Sequence, residues 1–65
     1  MTEQEARRLA IQAGIDPRDA VNAIKAEQKA REQGVKIYKW QRENQDQANI
    51  IRVLVLQNEA NLDRD

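Results

Sequence analysis

The sequence predicts an α+β domain in which two N-terminal helices are followed by a β-hairpin. Three observations point to that class. Residues 3–13 and 17–33 each have a helix-start signal at one end and a glycine at the other. Val35 to Trp40 and Ile50 to Leu56 are rich in β-branched and aromatic residues, the composition of strands. Between these two runs, Gln41 to Asn49 is almost wholly polar, as a connecting loop would be.

The first helix is expected over residues 3–13. Thr2-Glu3-Gln4-Glu5 has the form of a capping box, in which the Thr2 hydroxyl accepts from the Glu5 amide and the Glu5 carboxylate reaches back. Ala6, Leu9, Ala10 and Ala13 follow at helical spacing, and Gly14 supplies the left-handed residue that ends such a helix. The second helix is expected over 17–33. Asp16 is its N-cap, and Pro17 stands at the first position, where a missing N–H costs nothing. Asp19 lies in the first turn, favoured by the helix dipole. Ala20, Val21, Ala23 and Ile24 share its apolar face, while Arg18, Asn22, Lys25 and Lys29 form a narrow stripe on the opposite one. Glu27 and Arg31 stand at ion-pair spacing, and Gly34 is the natural stop.

After Gly34 two readings remain. In the hairpin, Tyr38 and Trp40 point to one face of a strand, and Ile50 to Leu56 offers apolar side chains on both faces. The alternative is an all-α chain, a helical hairpin with a long C-terminal helix forming a dimeric bundle. In its favour, no Gly or Pro occurs after Gly34. Such a helix would be polar all round over 41–47 and apolar all round over 50–56. Its best heptad is Asn44, Ala48, Ile51, Val55, Asn58 and Leu62, which leaves Ile50, Val53, Leu54 and Leu56 outside the seam. The hairpin is the preferred reading. Residues 1–57 then form one small domain and 58–65 a polar tail.

Composition bounds what such a domain can do. Of 65 residues, 40% are apolar, and many of those are alanines too small to fill a core. A chain of this size buries only about 60% of its unfolded surface, so a partner copy is a natural source of further burial. Cys and His are both absent, which removes the soft and imidazole ligands of structural zinc and haem, and also thiol chemistry. With no Ser either, triad-type nucleophilic catalysis has neither nucleophile nor base. The expectation is a non-enzyme with no cofactor, no metal and no small-molecule substrate. No apolar stretch approaches the ~20 residues of a membrane span. The acidic start, Met1 to Glu5, is unlike a signal peptide, so a cytoplasmic location is expected.

Leu9-Ala10-Ile11-Gln12-Ala13-Gly14-Ile15, Ile24 and Gly34-Val35 together resemble the winged helix-turn-helix DNA-binding domains. They look like the first helix and turn, the core plug of the second helix and the entry into the wing. The resemblance implies that the second helix enters the major groove of duplex DNA with Arg18, Asn22, Lys25 and Lys29, while Lys39 and Arg42 sit on or beside the wing. The stretch from Gly14-Ile15 to Ala23-Ile24 also resembles the first two helices of ubiquitin-associated domains.

Cations neutralise phosphates, and Arg and Asn can bond to base edges, so the stripe suits DNA. It is equally the pattern of an ordinary solvated helix face, and the chain is neutral overall, with eleven cations and eleven anions. Ile51, Val53 and Val55 are the expected self-association residues, since a sheet covered on one side leaves apolar side chains in water. Two functions follow. The first is a homodimeric DNA-binding regulator or recombination accessory. The second is a small homo-oligomeric interaction or assembly module with no nucleic-acid role.

Overall fold

The computed structural model describes residues 1–63. The chain folds into four helices: α1 (Glu3–Ala13), α2 (Pro17–Glu32), α3 (Ile37–Glu43) and α4 (Gln45–Leu62). Among the described residues 83% are helical and none is in a strand. The expected α+β class, with its β-hairpin and wing, is therefore corrected to all-α, the alternative weighed from the absence of helix breakers after Gly34.

The first half follows its local signals closely. The Thr2 hydroxyl accepts from the Glu5 amide at 3.2 Å, and the Asp16 carboxylate accepts from the Arg18 amide at 2.9 Å. Both glycines adopt the left-handed conformation at φ 78°. After each, the next residue's N–H returns to a carbonyl in the last helical turn, Ile15 to Ala10 at 2.8 Å and Val35 to Ala30 at 2.9 Å. The Glu27–Arg31 pair forms at 3.4 Å. Lys36, at the start of α3, offers no side-chain cap.

The polar stretch that was expected to be a loop instead holds a break between helices. At Asn44 the backbone leaves helical geometry, with φ −125° and ψ 55°. The Asn44 amide and its side-chain Nδ2 both donate to the Trp40 carbonyl at 2.9 Å, closing α3, and its own carbonyl accepts from the Ala48 amide, opening α4. A single residue thus joins two helices without glycine or proline. The break also answers the objection that a continuous helix would be polar all round over 41–47, because those residues lie on an exposed junction.

Ala6, Leu9 and Ala10 of α1, Ala20 and Ile24 of α2, and Leu54 of α4 form the core, with Ile15, Ile50 and Ile51 packed against it. Alanines at the crossings let the three helices approach closely, so Leu9 and Leu54, each almost fully buried, fill the centre. No polar or charged residue is buried among those described. The short α3 rests on α2 and α4, and its buried residue is Trp40. Tyr38 does not share that face, as it would in a strand: two residues along a helix is about 200° of rotation, and Tyr38 is exposed. Residues 58–62, read from sequence as the start of a polar tail, are the last turns of α4. Asn61 there donates to Gln12 Oε1 at 2.7 Å, tying α4 to α1. Residues 64 and 65 lie outside the described residues.

The same rotation redistributes the apolar run over Ile50 to Leu56. Leu54 and Ile50, which the heptad leaves outside its seam, face the core. Ile51 is half-buried at the edge, and Val53, Val55 and Leu56 are exposed.

Candidate interaction surface

The surplus apolar residues of α4 do not scatter evenly. Ala48, Ile51, Val55 and Leu56 line an open groove of about 580 Å³ between α4 and α3. Its other wall is the Tyr38, Gln41 and Arg42 side of α3, and Arg52 stands within it. Val55 is 41% exposed and Leu56 58% exposed, and nearly two turns beyond the groove Leu62 is 70% exposed. The seam Ala48, Ile51, Val55, Asn58 and Leu62 therefore exists as a helical stripe facing the groove and solvent, with Ile51 also packed against the core edge, while the core takes the adjacent stripe of Ile50 and Leu54. Two apolar stripes on one helix explain why its sequence looked apolar all round.

Of the three expected self-association residues, Ile51 and Val55 lie together in the groove. Val53 does not line it; on the helix it points roughly 160° away from Val55. Sequence reasoning missed Tyr38, Leu56 and Leu62 as members of the surface. The heptad spacing carried the signal for Leu62, whereas Tyr38 joins only because α3 folds against α4.

The expected nucleic-acid residues fare differently. Arg18, Asn22, Lys25 and Lys29 are all exposed along one face of α2, as the spacing required. Lys25 Nζ lies 3.7 Å from Glu3 Oε1, so the stripe has a carboxylate beside its centre. Lys39 and Arg42 are exposed on α3, not on a wing, and Arg42 belongs to the groove. The winged arrangement in which a β-hairpin would accompany α2 onto DNA is absent from the described residues.

Among the described residues no cluster of carboxylates is placed to hold a metal ion, and no helix is long and apolar enough to cross a membrane. Chemically, the groove can bury apolar side chains and pair its two arginines with acids. No protein-family model, curated protein or solved structure matches this chain.

Proposed function

We propose that the chain is a small, non-enzymatic assembly module that works by self-association through the outward stripe of α4. The observation that carries this reading is the exposure of Val55, Leu56 and Leu62 on a helix whose other side, through Ile50 and Leu54, already completes the core. Those three side chains contribute nothing to the packed interior. Exposed apolar side chains on one helix of so small a protein are costly in water, and that cost is relieved when a second surface covers them.

Sedimentation equilibrium of the purified chain across a wide concentration range tests the reading. A reversible dimer or larger assembly is expected, and Val55→Asp should shift it to monomer while helical circular dichroism is retained, because Val55 is outside the core. A chain that stays monomeric throughout would refute self-association. The competing reading, contact with duplex DNA through Arg18, Asn22, Lys25 and Lys29, has a separate signature. Binding would weaken steeply with salt and fall on Lys25→Ala. A saturable mobility shift with that behaviour would replace the assembly reading with a nucleic-acid one.

A further inference from the structure

We infer that the α3–α4 groove is the seat for α4 of a second copy, laid antiparallel so that its acidic C-terminal turn closes the groove; this rests on the self-association proposed above. Arg52 and Glu59 are seven residues apart on α4, so they lie on nearly the same line of the helix. The point midway between them falls between Val55 and Leu56. A copy turned end over end about that point sets Arg52 against Glu59 of the second copy, and Glu59 against its Arg52. Val55 then meets Val55 of the other copy, and Leu56 meets Leu56, on the two flanks. A parallel copy would instead oppose arginine to arginine and glutamate to glutamate, a like-charge arrangement that disfavours it.

The lining of the groove adds to this fit. Its charged lining residues are Arg42 and Arg52, both cations. In the antiparallel arrangement the turn arriving there carries Glu59, Leu62 and Asp63, two anions flanking an exposed leucine, and Leu62 comes down over Ala48. The C-terminal end of one helix also meets the N-terminal half of the other, which favours the pair through their opposed dipoles. The groove is thus incomplete in one copy and filled by the other.

Two experiments on the full chain test this, using its lack of cysteine as a background. In sedimentation equilibrium, Arg52→Glu and Glu59→Arg should each weaken association about tenfold or more, and the double variant should restore it, since the pairs re-form with reversed sign. In oxidative crosslinking, an equimolar mixture of Ala48→Cys and Leu62→Cys chains should form a mixed disulfide dimer. Leu62→Cys alone should not, because its two sulfurs would sit about 20 Å apart along the helix pair, beyond disulfide reach. Self-crosslinking of Leu62→Cys with none in the mixture, or association indifferent to both charge reversals, would overturn the antiparallel seat and leave self-association standing. A wild-type chain that is monomeric at every concentration would overturn both.

Discussion

Leu54→Ala and Leu56→Ala should have sharply different effects, although the two leucines are separated by one residue. Leu54 of α4 is fully buried in one core cluster with Leu9 and Ala10 of α1 and Ile24 of α2, whereas Leu56 is 58% exposed. Truncating a fully buried leucine removes its transfer free energy and leaves a cavity, a loss of about 2–5 kcal/mol. A chain of 65 residues has a total stability of roughly 3–10 kcal/mol, so Leu54→Ala should consume much of it. With a urea dependence of about 1 kcal/mol per molar for so small a domain, the unfolding midpoint should fall by about 2–5 M, or no folded baseline should remain. Leu56→Ala, measured below the concentration of self-association, should stay within about 0.5 kcal/mol of wild type. The assay is urea unfolding followed by circular dichroism and by fluorescence of Trp40. Positions two apart share a face in a strand but lie about 200° apart on a helix. Equal losses from the two substitutions would therefore refute the helical assignment of α4 and everything built on its two stripes.

Further outcomes follow from the local geometry. Gly14→Ala should cost about 1 kcal/mol in thermal or urea unfolding: nothing lies within 4 Å of the added Cβ, so the penalty is the left-handed backbone alone. Asp16→Ala should cost about 1 kcal/mol by the same measurement, through loss of the bond its carboxylate accepts from the Arg18 amide. Glu3→Gln should leave stability within about 0.5 kcal/mol, because the pair it makes with Lys25 at 3.7 Å is largely solvated; a larger loss would point to a closer, more ordered contact. The fluorescence of Trp40, 6% exposed, should be blue-shifted from that of the urea-unfolded chain and poorly quenched by iodide, whereas an exposed aromatic on a nucleic-acid surface would be readily quenched.

The α4 stripe shows how far the candidate surface could be read beforehand. Heptad spacing already grouped Ala48, Ile51, Val55 and Leu62, and the need for a partner was visible in an apolar run too rich for one face. Strand alternation places Val53 with Ile51 and Val55, while helical rotation carries it to another side of α4, away from the groove. Tyr38 and Arg42 entered the surface only through the break at Asn44, which sets α3 against the start of α4.

What sequence alone determined was α1 and α2, with their ends placed to within a residue or so. Their starts and stops are written in hydrogen bonds between residues at most five apart: Thr2 with Glu5, Asp16 with Arg18, Ile15 with Ala10 and Val35 with Ala30. Such bonds need nothing from the rest of the chain. Whether Ile50 to Leu56 became strand or helix was settled elsewhere. Its β-branched residues favour extended backbone, and only packing of Ile50 and Leu54 against Leu9, Ala10 and Ile24, 26 or more residues earlier in the chain, offsets that preference. A long-range contact of that kind has no local signature, so the tertiary structure decided the second half of the fold and the surface it exposes.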